Sequence, residues 1–373
     1  MAQVLRSQAA VLVAPNQNLA IQERDVPSAG KGCVNIQVVR AGVCGTDPHL
    51  WRGDLPVPEP VVLGHEGVGK ILELGEGVTK DHAGQDIAVG DAVYWNPIRP
   101  CNACYDCTIS QDMTACENGT FWSPASNPQV WASYTQIATL LPNNSFYKID
   151  DTVPLDAYIA LGCALPTMLQ AEHNLGGIKT GSKVVVQGAG PVGLAAIMLS
   201  KLAGAETIIC IEANAARLDR ARDFGAKHLI NMTEPDLSTS TSRRSKIWEW
   251  IQTRGADLVI ECSGNAAAFE EGVELLGRSG QYLVVGTWAG STKVNISPFD
   301  IVRKALKITG STYCSPWCYY KAAKLVAAHH TQFPLTRTVT HRYALQDAQH
   351  ALEDVAQGKV GKAVIYPQGL QDE

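Results

Sequence analysis

Four cysteines crowd the stretch PCNACYDCTISQDMTAC, at Cys101, Cys104, Cys107 and Cys116. The spacing C-x2-C-x2-C-x8-C suits thiolate ligands of one tetrahedral ion better than a secreted disulfide framework. Four thiolates around one zinc leave no position open, so this set is read as a fixture of a lobe rather than a reaction centre. Four other residues carry a different possibility. Cys44 lies in AGVCGTDPHLWRG, His65 and Glu66 in VVLGHEGVG, and Cys163 in LGCALPT. Each alone reads as core. Together, one histidine and two cysteines make a zinc set that keeps a fourth position for water or substrate.

A second constellation is Gly188-Ala189-Gly190-Pro191-Val192-Gly193, which follows the apolar run KVVVQ and opens a helix-like segment. Here Gly188 makes the tight turn, Gly190 lets the backbone approach a pyrophosphate, and Gly193 lets helix and strand pack closely. The helix N-terminus then offers free N–H groups and positive dipole to phosphates. Glu212 ends the next strand-like run, IICIE. A carboxylate there accepts ribose hydroxyls and repels a 2′-phosphate, and Arg217 comes only five residues later. NAD is therefore expected over NADP. The plain alternative for Glu212 is a solvated strand end.

These residues must be held by two domains, since 373 residues exceed one ordinary core. Residues 1–140 carry short β-type runs (VNIQVV, GVGKILEL, DAVYW) between glycine and proline turns, which implies a mostly antiparallel β domain. From about 183, strand-like and helix-like runs alternate, the pattern of a doubly wound parallel sheet. The overall class is α/β. The stretch LSTSTSRRSK reads as a solvated loop, and 117–130 and 232–246 as mobile segments. A formal charge of −5 with no long basic run argues against nucleic-acid and acidic-membrane partners. The N-terminus is a poor signal peptide, no run of 18 apolar residues occurs, and the metal-type cysteine spacing suits a reducing, cytoplasmic compartment.

The motifs CGTDPH, GHEGVG, the four-cysteine lobe, GAGPVG with Glu212, and the closing GKVGKAVI resemble those of the zinc-dependent medium-chain alcohol dehydrogenases, near the polyol and threonine dehydrogenase branch. The resemblance spans essentially the whole chain. It implies a GroES-like catalytic domain over 1–160 with a structural zinc lobe at about 97–120, a Rossmann domain over 161–305, and a return segment over 306–373. It implies two zinc ions per chain and NAD, and reversible oxidation of a primary, secondary or cyclic alcohol. Cys44, His65 and Cys163 match the catalytic ligands, with Glu66 behind the metal and able to approach it. Thr46 matches the hydroxyl that takes the substrate proton, and His49 the imidazole that passes it on. Asp47 matches the carboxylate that orients the ring of His65. Lys362 falls where a cation meets the cofactor phosphates.

Two departures stand out. The Cys107–Cys116 gap is one residue longer than in many members, and Gly45 stands where some carry a phosphate-binding arginine. Trp51, Trp95, Trp122 and Trp288 lie on segments that border the substrate in family members, Trp288 being the best wall candidate. Cys33, Cys210, Cys262, Cys314 and Cys318 read as buried or structural residues, with Cys314 and Cys318, beside Trp317, also placed to flank the substrate. A homodimer or homotetramer is expected. The rival readings are an NADPH-linked carbonyl reductase and a non-enzymatic zinc-binding protein.

Overall fold

A computed structural model describes residues 5–286 and 293–370. It divides into two compact units, 1–163 with 314–373, and 164–313. In the second unit, six parallel strands lie in the order His228–Asn231, Thr207–Glu212, Lys183–Gln187, Ala256–Glu261, Leu276–Val284 and Lys307–Gly310. The central strands are buried on both faces, so they are near-continuous apolar runs such as KVVVQ rather than alternating ones. The helix Pro191–Leu202 starts with proline in its first turn, where the missing N–H costs nothing, and buries Leu194 to Ser200.

The unit boundaries differ from the sequence reading. Lys307–Gly310 pairs with Leu276–Val284 as the sixth parallel strand, so the return begins at 314 rather than 306. Cys163 belongs with the first unit. LSTSTSRRSK is not a solvated loop, because most of it lies in the helix Ser240–Ile251, capped by the Thr239 hydroxyl at the Ser242 N–H. Arg243, on that helix, is buried and donates to both carboxylate oxygens of Glu271, at 2.7 and 3.0 Å. That pair ties the helix to its neighbour Ala266–Leu275.

The first unit contains a four-stranded and a seven-stranded sheet. The larger one runs Val339–Ala344, Lys362–Tyr366, Val34–Val43, Gly67–Leu74, Ala92–Trp95 and Phe146–Lys148, with Ile137–Leu140 also pairing Val34–Val43. Its core is built from Ile36, Val38, Ile71, Val93, Trp95, Tyr134 and Ile365, all nearly inaccessible. Three neighbouring strands set the site. Ala41 faces Gly67 and Val43 faces Ala363, so the residues next along the chain, Cys44, Glu66 and Lys362, gather at one end of the sheet. Among the described residues, no helix is long and apolar enough to cross a membrane.

Candidate metal centre and cofactor turn

Cys44 leaves the strand Val34–Val43, and the chain turns at once into the helix Thr46–Arg52. His65 and Glu66 immediately precede Gly67–Leu74. Cys163 follows Gly162, whose positive φ of 43° reverses the chain and whose carbonyl accepts from the Tyr94 hydroxyl at 2.6 Å. Donor atoms of Cys44, His65, Glu66 and Cys163 all lie within 4.8 Å of one another. The two sulfurs are 3.5 Å apart and unbonded. A tetrahedron with Zn–S bonds of about 2.3 Å has edges of about 3.8 Å, so this pair is spaced to share one ion.

The surroundings prepare these donors. Asp47 is fully buried, and its Oδ1 stands 3.1 Å from His65 Nδ1. That leaves Nε2 of the ring for the metal. The contact with the Cys163 thiol, ahead of the opposing effect of burial, holds the Cys44 thiol well below its ordinary range, and His65 adds to this. Cys163 is pushed up by the same contact and by burial. Two sulfurs this close, beside a histidine, mark the position a divalent cation would take. Burial disfavours charge on His65, yet Asp47 and Cys44 outweigh it and raise its pKa.

Glu66 lies behind this set. Its Oε1 accepts from the Cys163 N–H at 2.9 Å, and its Oε2 accepts from the ammonium of Lys362. A Cβ on Gly162 would come within 2.2 Å of that carboxylate, so glycine makes its seat. The expected place of Lys362 against cofactor phosphates is therefore not what the structure shows. Its ammonium is buried on Glu66 and on the Val43 carbonyl at 3.2 Å. Strand register puts it there.

Thr46 Oγ1 and N–H both approach the Cys44 sulfur, at 3.6 and 3.5 Å. His49, three residues on and on the same helical face, is about one-third exposed, with Nδ1 2.9 Å from Asp54 Oδ2. The structure does not gather all the tryptophans. Trp95 is 1% exposed and packs beneath Gly67, so it is core rather than pocket wall. Trp51 gives its indole N–H to the Gln17 carbonyl. Trp288 lies outside the described residues. Trp122 does approach the site, with its ring centroid 6.3 Å from that of His65, and Phe121 is closer at 5.7 Å. Phe121 was missed because no spacing rule links it to His65; only its place beside Trp122 hinted at it. Cys314 and Cys318 are buried.

The four lobe cysteines also cluster, with donors within 4.8 Å and Cys104 and Cys116 sulfurs 3.8 Å apart. Backbone N–H groups of Ala103 and Cys104 point at the Cys101 sulfur and lower that thiol to about 6. Burial first, then neighbouring sulfurs, raises Cys107 to about 12. The unequal set is what one expects of thiols crowded together for a cation. Arg99 and Thr120 exchange backbone hydrogen bonds of 2.9 and 3.1 Å and close the lobe at its base, next to Phe121.

In the second unit, Gly188 has φ of 96°, and a Cβ on Gly193 would come within 2.0 Å of the Gly188 carbonyl oxygen. Only glycine fits both places. Pro191 and Val192 begin the helix there. Glu212 accepts from the Ala189 N–H at 2.9 Å and from the Ala213 N–H at 2.8 Å, and Arg217 stands 3.9 Å from it. The carboxylate is thus fixed against the glycine turn.

Residues 30–151 match the model of the alcohol dehydrogenase GroES-like domain and 191–328 that of the zinc-binding dehydrogenase domain. The chain belongs to the zinc-dependent medium-chain dehydrogenases. It is 40% identical over 362 residues to a 5-exo-hydroxycamphor dehydrogenase of Pseudomonas putida, covering 96% of this chain and 98% of that one. A sorbitol dehydrogenase of Halalkalibacterium halodurans is 30% identical, with 94% and 96% covered. An alcohol dehydrogenase structure from Thermotoga maritima superposes with a TM-score of 0.91 at 30% identity, covering 97% and 99%. A Sinorhizobium meliloti structure bound to NADP does so at 0.84 and 27%, covering 97% and 100%. This dehydrogenase therefore oxidises CH–OH groups and works with zinc and a nicotinamide cofactor.

Proposed function

We propose that the enzyme oxidises a compact, apolar secondary or cyclic alcohol with NAD, holding two zinc ions per chain. The reading rests on the 3.5 Å approach of Cys44 to Cys163 beside His65, with Phe121 and Trp122 as apolar neighbours of that histidine. Cys44, His65 and Cys163 would hold the working ion; Cys101, Cys104, Cys107 and Cys116 would hold a closed structural one. When bound, the first zinc supplies Lewis acidity that makes a hydroxyl proton easier to remove. Thr46, beside the Cys44 sulfur, accepts that proton, and His49 carries it toward solvent. Glu66, paired with Lys362, balances charge behind the ligands. Each of its oxygens accepts one hydrogen bond, from the Cys163 N–H and the Lys362 ammonium, which holds the carboxylate behind the three ligands. A bound nicotinamide would supply the hydride acceptor, and that chemistry belongs to the cofactor.

The relative named for hydroxycamphor supports a rigid bicyclic substrate over a polyol. Glu212, seated against the Ala189 N–H, supports NAD. The structure bound to NADP favours a second reading, a carbonyl reductase working with NADPH. Free cysteines throughout the described chain suit a cytoplasmic enzyme. Exposed Phe299 and Val302 suit a homodimer or homotetramer. A panel of bicyclic, linear and polyhydroxy alcohols, run with NAD and NADP, tests the whole. Bicyclic alcohols with NAD should give the highest kcat/KM; preference for polyols would remove the aromatic wall from the argument.

A further inference from the structure

Tyr134 is fully buried, yet nothing in the reaction as described uses its hydroxyl. That hydroxyl donates to Asp47 Oδ2 at 2.9 Å, the same oxygen that accepts the Cys44 N–H at 2.8 Å. The other oxygen, Oδ1, faces His65 Nδ1 at 3.1 Å. Two donors on one oxygen thus fix the plane of the carboxylate, and its free oxygen is the one that meets the histidine. The main chain of Tyr134 is tied to the second ligand segment. Its N–H donates to the Leu63 carbonyl at 3.0 Å, and the Ser133 N–H donates to the Gly64 carbonyl at 3.0 Å. Gly64 permits this approach, since a Cβ there would lie 2.2 Å from the Tyr134 ring. Gly64 also has φ of 92°, which an L side chain rarely adopts.

We propose that Tyr134 is a positioning residue that fastens the Cys44 segment to the His65 segment and, through Asp47, sets the imidazole to retain the catalytic zinc. The inference rests on the assignment of Cys44, His65 and Cys163 as zinc ligands. Partners of metal-bound histidines change metal affinity about 10–100-fold when altered. Tyr134 acts one residue further out, so roughly the lower end of that range is expected.

The test uses zinc-loaded full-length enzyme, a chelator, and iodoacetamide, with labelling of each cysteine followed by peptide mass spectrometry. Tyr134→Phe should speed labelling of Cys44 and Cys163 about tenfold, while Cys101, Cys104, Cys107 and Cys116 label as in the native chain. Asp47→Asn should have the larger effect, and adding Tyr134→Phe to it should change nothing further, because the hydroxyl works through Asp47. Tyr158→Phe, which removes a hydroxyl bonded to the Asp150 carbonyl at 3.0 Å, serves as the control for loss of a tyrosine hydroxyl elsewhere. Unchanged labelling of Cys44 and Cys163 in Tyr134→Phe would overturn the proposal. So would equal acceleration at all six cysteines, or the same acceleration in Tyr158→Phe. If zinc does not protect Cys44 and Cys163 in the native chain, the ligand assignment itself falls, and this inference falls with it.

Discussion

The ammonium of Lys362 sits on the carboxylate of Glu66, and each side chain is 1% exposed. They are far apart in the sequence and are brought together by the pairing of Lys362–Tyr366 with Val34–Val43 and of that strand with Gly67–Leu74. Burial alone would push the Glu66 carboxyl up, but Lys362, with His65 behind it, holds it below the ordinary range. Both groups are therefore charged. The pair is neutral as a unit, so two thiolates and a divalent ion in front of it add no net charge to the interior.

Removing one member should cost far more than removing both. Lys362→Met is expected to destabilise the fold by about 3–5 kcal/mol, since it strands a buried carboxylate. Lys362→Met with Glu66→Gln should recover most of that loss. Thermal unfolding of the four members of this cycle measures it, and additive losses would show that the two groups do not act as a pair.

The two cysteine clusters should separate by phenotype. Cys44→Ser is expected to abolish turnover while the melting temperature changes little. Cys107→Ser should lower the melting temperature, because a structural metal contributes directly to folding free energy. Metal analysis of the native chain should find two zinc per chain. Reversed effects of the two substitutions would exchange the roles of the sites.

Cofactor choice is expected to turn on Glu212. Its carboxylate accepts from the Ala189 and Ala213 N–H groups, which keeps a negative charge beside the glycine turn. Glu212→Ala should raise the ratio of kcat/KM for NADP over NAD by roughly tenfold, about 1.4 kcal/mol of discrimination. A ratio that stays put would leave Glu212 as a strand-end brace only.

Acid should weaken the first unit through Asp156. Burial works against its charge, but hydrogen bonds from Arg40 and Arg342, both 2.7 Å, and from Tyr366 lower its pKa in the fold. A carboxyl lowered on folding adds stability that is complete above its unfolded pKa of about 3.9 and is lost as pH falls through the folded value. Asp156→Asn should cost about 3 kcal/mol at neutral pH. It should also flatten the acid limb of stability against pH below about 4. Chemical denaturation across pH 2–7, as ΔG of unfolding, reads both effects.

The ligand types and the glycine turn were legible in the sequence because their chemistry is local. The four lobe cysteines stand out by their spacing, and Cys44, His65 and Cys163 only when taken together as a possible ligand set. The turn at Gly188–Gly193 stands out because only glycine tolerates its geometry. Segment texture likewise identified a parallel sheet, since strands buried on both faces must be apolar throughout. Partnership was not legible. Lys362 was assigned to phosphates and pairs with Glu66; Trp95 was assigned to the substrate wall and fills the core under Gly67. Tyr134 on Asp47 had no sequence signal, and Phe121 beside His65 had only its place next to Trp122. The reason is register: in a sheet assembled from strands hundreds of residues apart, a shift of one position turns every side chain to the other face, and no local pattern records which position was chosen.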